Sequence, residues 1–133
     1  MDIKDKKASV IFENHENKFL LQKRDEEPEF DKWVLFGGSV EEGESDIEAA
    51  KREILEELNY TVKDITLFKK YVHGTVEQII YIAGNKVDIK DLELHEGSDM
   101  NFFSRSELEN IDIGFNYKEI LNDYLENKNL INI

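Results

Sequence analysis

Apolar residues fall in short runs separated by polar breaks, the rhythm of a chain built on strands. Ala8 to Phe12 is the first run and predicts a strand. His15 to Asn17 is a polar turn, and Phe19-Leu20-Leu21 then opens a second strand that ends at Lys23-Arg24. Asp25 to Lys32 is a charged loop holding Pro28, the only proline. Trp33-Val34-Leu35-Phe36 predicts a short buried strand, broken by Gly37-Gly38. Ile65 to Val72 and Val76 to Ala83 predict two more, joined through His73-Gly74. Asn85 to Gly97 is polar and predicts a loop, and Asp99 to Phe103 predicts a last short strand.

Helices announce themselves by their caps. Ser45-Asp46-Ile47-Glu48 is a capping box, in which Ser45 accepts from a free backbone N–H and Glu48 reaches back. Ile47, Ala50, Ile54 and Leu58 follow at helical spacing and form one apolar stripe. Asn59 stands where this helix should end, and asparagine tolerates the left-handed conformation of helix termini. Ser104 to Glu107 is a second capping box and opens a short helix. Phe115 to Asn127 predicts a closing helix with Ile120, Leu121, Tyr124 and Leu125 on one face. No repeat or low-complexity segment interrupts the pattern, so the expectation is a single layered α/β domain over residues 1–133.

Composition narrows the classes. A chain of 133 residues with 40% apolar content can bury one real core. The absence of cysteine removes disulfides and thiolate metal sites. The N-terminal residues lack the apolar stretch of a signal peptide, and the longest apolar run, Ile79 to Ala83, is too short to span a bilayer. A cytoplasmic protein without membrane contact is expected. A net charge of −13 argues against a nucleic-acid surface, which needs clustered Lys and Arg. It argues equally against a phosphate-bearing ligand, unless that ligand arrives with a divalent cation that inverts the local field.

The candidate chemistry lies on the first helix. Glu53, Glu56 and Glu57 stand at i, i+3 and i+4, so they share a face, read as offset from the apolar stripe. Arg52 is four residues before Glu56, close enough to pair with it. Like charges at these spacings destabilise an isolated helix by a few tenths of a kcal/mol per pair. Hard cations with oxygen ligands offset that repulsion, and Mg2+ takes one or two carboxylates, several waters and substrate phosphates. A merely solvated acidic helix does not account for Gly38, Glu44 and Arg52 at their places. His15, His73 and His95 have no metal-ligand spacing.

The stretch Gly38 to Tyr60, GSVEEGESDIEAAKREILEELNY, carries Gly38, Glu44, Arg52, Glu53, Glu56 and Glu57 at the offsets G-x5-E-x7-R-E-Ile-x-E-E. It resembles the Nudix box, and the chain resembles a Nudix hydrolase from Ala8 to about Asn127. Trp33 to Gly38, WVLFGG, is similar to the aromatic-x-x-Pro-Gly-Gly lead-in of that family. The resemblance implies an α/β/α sandwich around a central mixed sheet. It implies an enzyme that cleaves the pyrophosphate linkage of a nucleoside diphosphate joined to another group, with Mg2+ or Mn2+. Glu53, Glu56 and Glu57 would be metal ligands, one of them serving as or orienting the base. Arg52 would hold the carboxylates, Glu44 would brace the loop or reach metal through water, and the backbone of Gly37 and Gly38 would approach the metal. Two positions depart from the pattern: Asn59 replaces the usual glycine near the end of the box, and Phe36 the usual proline before Gly-Gly.

Family members often add a carboxylate from outside the box, and Glu96 is the candidate here, with Glu93 as its rival. Lys23 and Arg24 are candidates for the phosphates. Trp33, Phe36, Phe102 and Phe103 are candidates for stacking on a base, a reading that competes with their use as core. The implied partner is a nucleotide substrate, a nucleoside triphosphate ahead of nucleotide sugars and other nucleoside diphosphate derivatives. No proline follows the box, as it tends to in ADP-ribose hydrolases, and Tyr71 and Tyr81 do not match the tyrosine of dinucleoside polyphosphate hydrolases. A non-catalytic nucleotide sensor would have lost box carboxylates, and this chain keeps them all. Monomer and homodimer are both compatible with the sequence.

Overall fold

Seven strands divide between two sheets, and the chain crosses from one to the other inside a run that reads as a single strand. The computed structural model describes residues 3–131. Its elements are β1 (Asp5–Ile11), β2 (Phe19–Lys23), β3 (Trp33–Val34), β4 (Phe36–Ser39), α1 (Asp46–Leu58), β5 (Ile65–His73), β6 (Val76–Ala83), β7 (Asp99–Phe103), α2 (Arg105–Leu108) and α3 (Tyr117–Ile131), with a 3-10 turn at Ile89–Asp91. The larger sheet has the order β4-β1-β6-β5, and the smaller β3-β2-β7. β1 and β6 run parallel, and the other pairs are antiparallel.

The crossing corrects the sequence expectation for Trp33 to Gly38. β3 pairs with β2, Leu35 makes the step, and β4 pairs with β1 through Gly37 opposite Ser9 and Gly38 opposite Ala8. The glycines therefore extend a strand where a break was expected. The reason is close approach: a Cβ on Gly37, whose φ is 153°, would stand 2.3 Å from the Ala8 carbonyl oxygen.

Alternation along the strands assigns the layers. Ala8, Val10, Phe36, Ile79 and Tyr81 pack with Ala49, Ala50, Ile54 and Leu58 of α1. Ile11, Ile80, Val34 and Leu35 pack with Ile120, Leu121 and Tyr124 of α3. The result is the expected α/β/α sandwich with a central mixed sheet. Beyond the end of β1, buried Glu13 accepts from the Tyr124 hydroxyl and from Lys128 Nζ, both at 2.7 Å, which staples α3 to the sheet.

Capped helix termini follow the sequence closely, and the start of the closing helix does not. Both capping boxes form, Ser45 with Glu48 and Ser104 with Glu107, and Asn59 adopts the left-handed conformation with φ 50°. Ile47, however, stays 43% exposed. It shares the stripe's angle, but the packed length of α1 begins only at Ala49. The closing helix begins at Tyr117, two residues later than expected, because Phe115 has a φ of 51° and cannot be its first turn.

Candidate active site

The three glutamates of α1 live in three different environments. Glu57 is only 2% exposed. It stands two turns after Ala50, so it shares the buried stripe instead of lying beside it, which corrects the sequence reading. Its Oε1 accepts from the Gly37 N–H at 2.9 Å. Glu53 lies against the backbone of β4: a Cβ on Gly38 would fall 2.4 Å from its carboxyl carbon. The absence of that atom is what admits the carboxylate. Glu56 points outward, with 59% of its side chain exposed.

One guanidinium links loop, helix and strand. Arg52 donates from Nε and Nη2 to Glu44 at 2.7 and 3.0 Å, and from Nη1 to Glu53 at 2.9 Å and Glu56 at 3.3 Å. Its Nη2 also reaches the Ser39 carbonyl at 2.9 Å. Glu44 in turn accepts from the Glu41 N–H at 3.0 Å. The planar fork of arginine makes such multiple donation available, which a lysine cannot match.

A second loop docks on the C-terminus of α1. The His95 N–H donates to the Glu57 carbonyl at 2.7 Å and the Glu93 N–H to the Leu58 carbonyl at 2.9 Å. These two bonds satisfy helix-end acceptors that would otherwise lack partners. They also set the loop's register, so that the Glu96 carboxylate comes close enough to Glu57 to raise its pKa. Glu93 is turned aside, toward Asn59 Nδ2 at 3.2 Å and His95 Nε2 at 3.2 Å.

Electrostatics follow from this crowding. Burial pushes the Glu57 carboxyl up to about 10, and neighbouring Glu96 and Glu53 add to the rise against the opposing Gly37 N–H. Burial also raises Glu53, with Arg52 opposing and Glu56 and Glu96 contributing. Glu44 is held below the usual range, mainly by its bond to Arg52. The Glu57 Oε2 atom is buried with no hydrogen-bond donor. A buried carboxylate oxygen without a donor is costly, and native proteins keep such atoms for a reason.

Comparison with known proteins now decides the family. The NUDIX domain profile matches residues 4–124. An ADP-ribose pyrophosphatase of Methanocaldococcus jannaschii is 34% identical over 121 residues, covering 86% of this chain and 69% of that protein. This chain belongs to the Nudix family. Among solved structures, the NUDIX domain of Shewanella oneidensis NrtR complexed with ADP ribose superposes with a TM-score of 0.80 at 15% identity, covering 96% of this chain and 88% of that one. The MutT protein of Methanosarcina mazei Go1 gives a TM-score of 0.76 at 23% identity, with 96% of each chain covered. At these identities the two structures show a shared fold. Family and relative together make the chain a nucleotide pyrophosphohydrolase.

Nudix hydrolases act with divalent cations, and the residues present fit one. The orphaned Glu57 oxygen, Glu53 seated where a Cβ would otherwise be, and Glu96 beside them form an all-oxygen donor set of the kind hard cations prefer. Among the described residues no three of these groups already converge as a closed metal site. Arg52 holds Glu53 and Glu56 in ion pairs at 2.9 and 3.3 Å. Glu44 borders a cleft of about 550 Å³ shared with Ser39, Glu41, Asp46 and Lys6. Among the described residues no helix is long and apolar enough to cross a membrane.

The remaining candidates divide. Arg24 is fixed by donating from Nε to the Pro28 carbonyl at 2.7 Å, and its guanidinium lies over the Phe115 ring. Lys23 pairs with Asp31 at 3.4 Å and lies over Trp33. Trp33 itself is half-buried, edge-on to Phe103 at 4.7 Å. Phe36 is 0% exposed and has no surface to offer a base, a correction imposed by its place in the α1 core. Phe102 is also core, and its remaining edge opens on a cleft with Asn14, Lys18 and Asp88, none of them a box residue. Sequence reasoning passed over Ser9, Tyr117 and Phe115. Ser9 and the Tyr117 hydroxyl meet at 3.4 Å behind Gly37, a contact 108 residues apart that no local pattern announces.

Proposed function

We propose that this Nudix hydrolase cleaves the diphosphate of ADP-ribose or a closely related nucleoside diphosphate derivative, with Mg2+ or Mn2+ bound by Glu53, Glu56, Glu57 and Glu96. The observation that carries the site is the buried Glu57 oxygen that has no hydrogen-bond donor. The substrate class rests on the 34% identity to an ADP-ribose pyrophosphatase over 86% of the chain. That likeness reorders the expectation from sequence, which put a nucleoside triphosphate first.

When bound, the cation neutralises phosphate charge and lowers the pKa of water. The chain's own residues do the rest. Arg52 donates to Glu44, Glu53 and Glu56, so the carboxylates are positioned before substrate arrives. Glu53, raised by burial and placed against Gly38, accepts the proton of the attacking water. Glu56, at the exposed rim, completes the ligand set.

The test is a panel of ADP-ribose, nucleotide sugars and nucleoside triphosphates with Mg2+ or Mn2+, products separated by chromatography. ADP-ribose should yield AMP and ribose 5-phosphate. Glu53→Gln should lower kcat by roughly 10²–10⁴-fold with KM little changed. The absence of a proline after the box counts against ADP-ribose and keeps triphosphates as a second reading. Release of pyrophosphate from a triphosphate, with ADP-ribose untouched, would establish that second reading instead.

A further inference from the structure

Phe115 lies between β3's parallel bridge partner Ile113 and the start of α3, in a left-handed conformation that bulky residues rarely adopt. The surroundings hold it there. The Trp33 N–H donates to the Asp112 carbonyl and the Gly114 N–H to the Trp33 carbonyl, each at 2.9 Å. Gly114 is packed on Val34 and Glu29, whose side chains would stand 3.0 and 3.2 Å from an added Cβ. Non-helical backbone pinned from both sides fixes where this ring points.

Two cations are drawn to the ring. Lys7 Nζ lies 5.1 Å from its centroid and the Arg24 guanidinium 5.6 Å. In a chain with 30 acidic residues, neither cation forms an ion pair among the described residues. Arg24 is held by the Pro28 carbonyl, whereas Lys7 has only its flexible stem. His73 and Tyr117 meet the ring edge-on at 6.2 and 5.8 Å and close its sides.

This cluster adjoins the carboxylates. Lys7 pairs in register with Ser39, whose carbonyl accepts from Arg52. Tyr117 touches Ser9, which pairs with Gly37, whose N–H binds Glu57. Thus an aromatic face and two unpaired cations stand across β1 and β4 from the site of phosphate cleavage. Nucleotides combine a planar base with a polyanion, and an aromatic ring beside lysine and arginine matches both parts.

We propose that Phe115 is the stacking surface for the substrate's base, and that Lys7 leaves the ring on binding to take the diphosphate. The inference rests on the reading of the site as a nucleotide pyrophosphohydrolase and deepens it: the enzyme selects substrates with an aromatic base. Arg24 stays with the ring as its fixed support. Stacking on an aromatic residue is worth enough to shift affinity about tenfold or more.

The test compares Phe115→Gly, Phe115→Leu and Phe115→Trp with the wild type. Glycine suits the left-handed backbone, so that variant keeps the fold, which thermal melts verify. Binding of AMP and of ribose 5-phosphate, each with Mg2+, is measured by titration calorimetry, and KM and kcat are measured on ADP-ribose. The glycine and leucine variants should weaken AMP by about tenfold or more, leave ribose 5-phosphate within about twofold, and raise KM far more than they lower kcat. Tryptophan should restore AMP binding. Lys7→Gln should weaken both ligands. Equal loss of AMP and ribose 5-phosphate, leucine as good as phenylalanine, or no AMP binding by the wild type would overturn the proposal. The two readings fail separately: AMP binding through Phe115 with no substrate cleaved sinks the function and leaves the stacking, whereas ADP-ribose cleavage indifferent to Phe115 does the reverse.

Discussion

Adjacent glycines in β4 have unrelated jobs. A Cβ on Gly37 would meet backbone, the Ala8 oxygen at 2.3 Å and the Ser9 Cα at 2.6 Å, and backbone cannot step aside. A Cβ on Gly38 would meet the end of the Glu53 side chain, with all three carboxyl atoms at 2.4 to 2.6 Å, and a flexible side chain can. Gly37→Ala should therefore cost several kcal/mol of stability, seen as a large drop in Tm. Gly38→Ala should melt close to the wild type while kcat falls by about tenfold or more, because Glu53 is displaced. Equal Tm losses in the two variants would refute the distinction. The sequence marked both positions and all three glutamates, yet it set Glu57 beside the apolar stripe instead of on it. Its place two turns after Ala50 was legible. Its burial was not, because that depends on β4 and the loop at Glu93–Gly97 closing over it from elsewhere in the chain.

Elements whose ends carry their own chemistry were the readable ones. The caps at Ser45, Ser104 and Asn59 are local hydrogen-bonding solutions, and each forms where the residues ask for it. The start of α3 was misread because Phe115 looks like a good helix residue, while Asp112 and Gly114 just before it are tied to Trp33, distant in sequence. The docking of the loop on α1 makes a similar point for Glu96, whose neighbourhood with Glu57 is set by two backbone bonds to the helix terminus. Glu96→Gln should lower kcat by about tenfold or more and weaken the activating cation, read from the Mg2+ dependence of the rate. Glu93→Gln, whose carboxylate faces Asn59 and His95, should leave both within about twofold. A larger effect at Glu93 than at Glu96 would reverse their assignment.

At the scale of the whole molecule, the division into two sheets at Leu35 was hidden by a continuous apolar run, since partner strands are chosen by distant residues. That division exposes the outer edge of β4, where the Gly37 N–H is free to hold Glu57 inside the fold. A buried carboxyl pushed up to about 10 from an ordinary 4.5 makes the stability of the entire protein depend on pH. Because the folded value is the higher one, the folded state binds more protons across that interval. Its contribution is fully present below 4.5 and is lost as pH rises toward 10. In EDTA the wild type should therefore melt progressively lower as pH is raised through the neutral and mildly alkaline range. Glu57→Gln, which needs no proton, should melt with a much flatter profile. A bound cation requires the carboxylate and displaces the proton, so its affinity grows with pH. Saturating Mg2+ should accordingly raise the wild-type Tm more at alkaline pH than at acid pH, by several degrees, and do so far less in Glu57→Gln. Parallel pH profiles for the two proteins in EDTA would mean that Glu57 keeps no proton in the folded state, and that its lone buried oxygen has another partner.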